Sequence, residues 1–278
     1  MKSFIPLIFI LLFSACQHSD EVSNINSISP TISEVTVNSE GILSITNSEG
    51  KSLGSFSNYN SYDYSDKIFA VQYSDSGERV LAYNSKGDTL HNGHIIGVNS
   101  YKVSENIFAV QYSDSGERVL AYNSQRDILH NGYIIGVNSY KVSKNIFAVQ
   151  YSDSGERVLA YNSERKILHN GYFTGVNSYD VSDNIFAFQY SDQGERLIAY
   201  NAESELLFSG ADIGVKDYFL RDGYLGVNYY SSGNRLHIVN ENDETIYSAA
   251  DLIDSYAVDN DSVLIRTSSG SERLIVLD

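Results

Sequence analysis

The sequence predicts an all-β chain built as a tandem array, and three observations carry that prediction. The first is composition: 22 Tyr and 12 Phe stand among many Val, Ile and Ser, with one Met and two Pro, a strand-prone set interleaved with turn-forming Gly, Asn and Asp. The second is recurrence, since residues 99–137 return at 138–176 with only five differences. The third is that each 39-residue unit divides into four short apolar runs separated by turn signals.

From the N-terminus, residues 1–15 hold one Lys, the apolar run FIPLIFILLF, then Ser14 and Ala15 directly before Cys16. The run is too short to span a bilayer and fits a cleaved leader. Ser14, Ala15 and Cys16 resemble the lipobox of bacterial lipoprotein signal peptides, which implies acylation of Cys16 and anchorage to a membrane through lipid. Two or more acyl chains hold a protein there persistently. The following residues, QHSDE, are similar to the short acidic signal of surface lipoproteins in the Bacteroidetes group, which implies outer-membrane residence, facing the periplasm or outward. Residues 16–29 are polar and Ser/Asn-rich and read as a flexible tether.

The repeat domain is expected over residues 30–278. Full units occupy 60–98, 99–137, 138–176, 177–215 and 216–254, with partial units at both ends. The C-terminal one repeats the first three strand segments, and the N-terminal one repeats the last three. In unit 99–137 the strands are SYKVS, IFAVQYS, ERVLAYN and DILHN, with the second and third joined by an Asp-Ser-Gly turn whose Gly suits positive φ. IFAVQY and RVLAY place apolar groups at successive positions, as strands covered on both faces do. Four antiparallel strands in about 40 residues, repeated six or seven times, predict a closed β-propeller. Seven hairpins of the second and third strands favour seven blades, with six blades or an open β-solenoid as alternatives. A segment near 21–26 is the candidate fourth strand for the last blade. The pattern resembles the blades of quinoprotein and outer-membrane-assembly propellers, although the Trp that commonly ends such blades is absent.

A net charge of −16 repels phosphate backbones, so nucleic acid is not an expected partner. One cysteine rules out an internal disulfide. No Walker loop, GxSxG elbow or HExxH occurs, and no cofactor, metal or catalytic residue is assigned. His237 reads as a strand histidine, and Asp217, Arg221 and Asp222 read as a solvated loop. The candidate binding face lies where the turn between strands two and three meets the loop from strand four to the next blade. It would carry Asp75, Glu78, Asp114, Glu117, Asp153 and Glu156, together with His91, His130, Tyr133, His169 and Tyr172 of the His-Asn-Gly loops. Charge changes between units, Glu105 against Lys144, Gln125 against Glu164 and Asp127 against Lys166, fall at the opposite end. These features lead to the expectation of a non-catalytic, membrane-anchored lipoprotein that binds a protein or glycan. The alternatives are a scaffold in an outer-membrane assembly complex and a propeller enzyme acting on polysaccharide or peptide.

Overall fold

The computed structural model describes residues 29–277, apart from residues 75, 114–115, 133, 153–155, 173–174, 192–193, 211–213, 231–232, 250 and 260 and the Tyr172 side chain. The leader, Cys16, nearly all of the tether and the segment at 21–26 therefore lie outside the described residues. What is described is strand throughout, in seven antiparallel sheets that follow one another along the chain.

Blade 1 holds β1 (Ile32–Val37), β2 (Leu43–Asn47) and β3 (Ser52–Phe56). Blade 2 holds β4 (Ser61–Tyr64), β5 (Ile68–Ser74), β6 (Glu78–Asn84) and β7 (Thr89–Asn92), and blade 3 holds β8 (Val98–Val103), β9 (Ile107–Ser113), β10 (Glu117–Asn123) and β11 (Ile128–Asn131). Blade 4 comprises β12 (Val137–Val142), β13 (Ile146–Ser152), β14 (Glu156–Asn162) and β15 (Ile167–Tyr172). Blade 5 comprises β16 (Val176–Val181), β17 (Ile185–Ser191), β18 (Glu195–Asn201) and β19 (Leu206–Ser209). Blade 6 comprises β20 (Gly214–Arg221), β21 (Tyr224–Tyr230), β22 (Asn234–Asn240) and β23 (Thr245–Ser248), and blade 7 comprises β24 (Ile253–Val258), β25 (Ser262–Thr267) and β26 (Glu272–Val276). This is a seven-blade β-propeller architecture, and seven sheets decide the blade count over six. The end sheets match the expected partial units: β1–β3 stand as strands two to four of a blade, and β24–β26 as strands one to three.

Six hydrophobic clusters fill the six successive junctions between blades. The first four residues of β5, β9, β13 and β17 are all buried, because alternate side chains point into the junctions on either side. Phe69, Phe108, Phe147 and Phe186 recur in these strands at 1% exposure or less, and burial of each contributes about 2–3 kcal/mol. The end blades differ. β25 alternates buried and exposed residues, and Ser33, Glu34 and Thr36 of β1 are exposed. Among the described residues, no strand pairing and no apolar cluster joins blade 7 to blade 1, because the outer face of blade 1 is polar.

Polar ladders run from blade to blade in step with the repeat. The hydroxyls of Ser61 and Tyr101, of Ser100 and Tyr140, and of Ser139 and Tyr179 meet at 2.9, 2.9 and 2.8 Å. Ser178 donates to the Tyr218 hydroxyl at 3.4 Å. At the next junction Asp217 takes the place of serine and accepts from the Tyr256 hydroxyl. Asp217, expected in a solvated loop, thus lies in β20 and ties two blades together.

Candidate functional site

The predicted acidic face is built differently from its sequence-level description. Glu78 is spent on joining three strands of its own blade: its carboxylate accepts from Ser74 Oγ at 2.6 Å, from Asn60 Nδ2 at 2.9 Å and from Gln72 Nε2 at 2.9 Å. These hydrogen bonds, Ser74 foremost, hold its pKa below the usual carboxylate value. Glu117 has the same partners in Ser113, Asn99 and Gln111, and so does Glu195, which the sequence reading passed over. Glu156 occupies the equivalent place in β14. Asp75, Asp114, Tyr133 and Asp153 lie outside the described residues, as does the Tyr172 side chain.

The histidines require a correction. His91, His130 and His169 are not turn residues on a displayed face; they sit in the fourth strands and are 2%, 5% and 9% exposed. Each ring points into a junction against aromatics of the following blade: His91 on Phe108 and Tyr122, His130 on Phe147 and Tyr161, and His169 on Phe186, Phe188 and Tyr200. His130 Nε2 also meets the Tyr151 hydroxyl. Burial lowers the pKa of each to about 4, so all three are neutral at pH 7. The reason is registry: the fourth strand runs through the Asn of each His-Asn-Gly, and in β15 on to Tyr172, so His is an inward-facing strand residue and not part of the turn. His237 lies in β22, half-buried, with its pKa lowered by desolvation.

The more open chemistry lies at the other end, made by the turns from strand one to two and from strand three to four. Three clefts of about 300, 410 and 250 Å³ follow one another there at successive junctions. The first is lined by Thr31, Lys67, Ser85, Lys86, Asp88 and Gln125 among others. In the second, Asn106, Gln125, Asp127, Asn145, Ser163 and Glu164 form the walls. The third is bounded by Asn145, Glu164, Lys166, Asn184 and Glu203. Their floor is a relay of side-chain hydrogen bonds one blade apart. Lys67 Nζ donates to Asn106 Oδ1 at 2.8 Å, Asn106 to Asn145 at 2.6 Å, Asn145 to Asn184 at 2.7 Å, and Asn184 to Glu241 Oε2 at 2.7 Å. At the next repeat position stands Gly223, with φ +85°, whose bare Cα leaves room for the Glu241 carboxylate.

Charge varies along this row. Glu105 lies between Lys67 at 3.2 Å and Lys144 at 2.8 Å, and the Lys144 hydrogen bond leads in lowering its pKa. Of the charge differences between units seen in the sequence, Gln125, Asp127, Glu164 and Lys166 line the clefts, whereas Glu105 and Lys144 pair with each other beside them. The Asn relay was missed. Its signal was present in Asn106, Asn145 and Asn184, 39 residues apart before each second strand, but asparagine in a turn reads first as turn chemistry. Among the described residues, no group of three His, Cys, Asp or Glu residues is placed to hold a metal ion.

No protein-family model matches the chain, and no curated protein does. Among solved structures, it is similar to a eukaryotic initiation factor, at 11% identity over 89% of this chain and 72% of that one, with a TM-score of 0.46. It is also similar to the β-propeller domain of the Trilobed protease from Pyrococcus furiosus, at 13% identity, 88% and 90% coverage and a TM-score of 0.37. BamB from Moraxella catarrhalis matches at 14% identity, 86% and 78% coverage and a TM-score of 0.30. At these values the likeness carries no argument about function, and the fold rests on the seven sheets themselves.

Proposed function

We propose that this chain is a non-catalytic, lipid-anchored binding protein of the bacterial envelope that recognises a linear glycan along the row of clefts. The observation that carries this reading is repetition: three adjacent clefts, one per junction, are lined by equivalent amide, hydroxyl and carboxylate groups. Such groups hydrogen-bond sugar hydroxyls. A polymer with repeating units meets the same donors and acceptors at each step, so weak contacts sum through multivalency. Catalysis needs one unlike constellation, and the repeat instead multiplies like ones. Lipidation of Cys16 would place this surface at the outer membrane.

The test uses the full chain against immobilised neutral, amino and uronic-acid oligosaccharides of increasing length. Affinity should rise with chain length and fall at least about tenfold in Gln125→Ala/Glu164→Ala, two exposed residues of the second cleft. Binding that ignores both length and these substitutions overturns the glycan reading. Stable capture of one envelope protein instead would favour the scaffold alternative. Cys16→Ser should release the protein from membranes.

A further inference from the structure

Every interior blade starts with a strand that does two things: it pairs with its own second strand, and it covers the first strand of the blade that follows. Among the described residues blade 1 has no such strand. β1 pairs with β2 alone, whereas β5, β9, β13, β17 and β21 are each paired on both sides. The consequence appears on blade 2. Tyr140 and Tyr179, each covered by the preceding blade, are 7% and 5% exposed, but Tyr62 at the equivalent position is 38% exposed. Tyr64, which occupies the place of Val103 and Val142, is 52% exposed. Tyr59, Tyr62 and Tyr64 form a continuous aromatic surface over the buried Phe69, with ring centroids 5.8–6.5 Å apart, beside the open edge of β1.

We propose that residues 23–28 supply the first strand of blade 1, pairing with the free edge of β1 and covering Tyr62 and Tyr64. Three observations select this occupant. The chain leads directly into the site, since Ser29, Pro30 and Thr31 precede β1 as Ser104, Glu105 and Asn106 precede β9. The upstream sequence fits: SNINSI before Ser29 aligns with VNSYKV before Ser104, with Asn24 on Asn99 and Ile28 on Val103. Finally, a three-residue turn costs little loop entropy, so a tethered strand outcompetes any free partner. The shared register, in which Val103 faces Phe108, Val142 faces Phe147 and Val181 faces Phe186, sets Ile28 opposite Ser33. Residues 21–26 then do not latch the last blade. Only residues 17–22 separate Cys16 from the folded domain, a reach of roughly 20 Å at about 3.3–3.6 Å per residue, so a lipidated chain would hold blade 1 close against the membrane.

The test is amide hydrogen exchange read by mass spectrometry on the full chain, with Asn26→Pro and Ile28→Asp as variants. Glycan binding is not measured, so the outcome is independent of the ligand. Residues 23–28 should exchange at least about 100-fold more slowly than an unstructured reference. Both substitutions should speed exchange in residues 23–28 and β1 while leaving β13 unchanged. Exchange of residues 23–28 at the reference rate overturns the assignment. So does deprotection of β26 in place of β1, which would mark a latch on the last blade. Protection of β1 that grows with protein concentration would put a second copy there and overturn it as well.

Discussion

Asn123 donates its Nδ2 to the carbonyl of Ser163 in the next blade at 2.9 Å, while its Oδ1 accepts the turn amides of Gln125 at 3.1 Å and Asp127 at 2.8 Å. One buried amide thus closes the turn from strand three to four and bolts that turn to its neighbour. Asn47, Asn84, Asn162 and Asn201 make the corresponding bonds to Ser85, Ser124, Ala202 and Glu241. The tight turn also places Arg126, Arg165 and Ser204 at φ +77°, +70° and +69°.

Asn123→Ala should therefore cost more than a single surface hydrogen bond. It leaves a carbonyl and two turn amides without partners, at about 2–4 kcal/mol in urea-unfolding free energy. Asn123→Asp keeps the acceptor but loses the Nδ2 bonds to both Ser163 O and Asp127 Oδ2, so a smaller loss is expected when it is combined with Asp127→Asn, which removes the repulsion between the two carboxylates. Equal losses in the two variants would show that the link between blades contributes everything and the turn nothing.

Acid should weaken the array through the three junction histidines. Each has a folded pKa of about 4 against 6.5 unfolded. The unfolded chain therefore binds more protons between these values, and stability falls as pH drops from 6.5 toward 4. Full expression of the shift is about 3 kcal/mol per histidine. The chain itself supplies the control, since Phe208 stands one repeat after His169. His169→Phe should preserve stability at pH 7 and flatten its decline between pH 6.5 and 4, as followed by unfolding at each pH.

Gly226 and Phe219 are cross-strand partners in β20 and β21, and a Cβ added at Gly226 would come within 1.9 Å of the Phe219 ring. The equivalent positions in earlier blades hold Ala70, Ala109, Ala148 and Ala187. Gly226→Ala should destabilise by about 1–3 kcal/mol, and Phe219→Ser in the same chain should recover part of it. Additive losses in the double variant would dismiss the steric account.

Glu105 offers a contrasting expectation. Its side chain is 35% exposed, and those of Lys67 and Lys144 are 42% and 45% exposed, so solvent screens both pairs. Glu105→Gln should change stability by less than about 1 kcal/mol, and less still in high salt.

The repeat made most of this legible without coordinates. Strand order and the three-stranded ends follow from the four-strand unit recurring every 39 residues, because a doubly covered strand such as IFAVQYS leaves a continuous apolar run; the choice of seven blades over six came from the sheets. The site was legible only in part. Charge differences at Glu105, Gln125 and Asp127 marked the cleft-bearing end, yet the acidic turns and histidines of the other end drew the binding assignment. Glu78 and Glu117 resemble free acids until their three partners are seen, two on the neighbouring second strand and one asparagine at the start of the first.

The sequence by itself determined the unit, its four strands and the turns that demand positive φ, since each depends on neighbours close along the chain. The tertiary structure alone decided that His130 is buried, that Asn106 reaches Asn145 and that, among the described residues, the outer face of blade 1 meets no core. Those outcomes depend on which face of one blade meets the next, and residues 39 or 40 apart become neighbours only when the sheets pack.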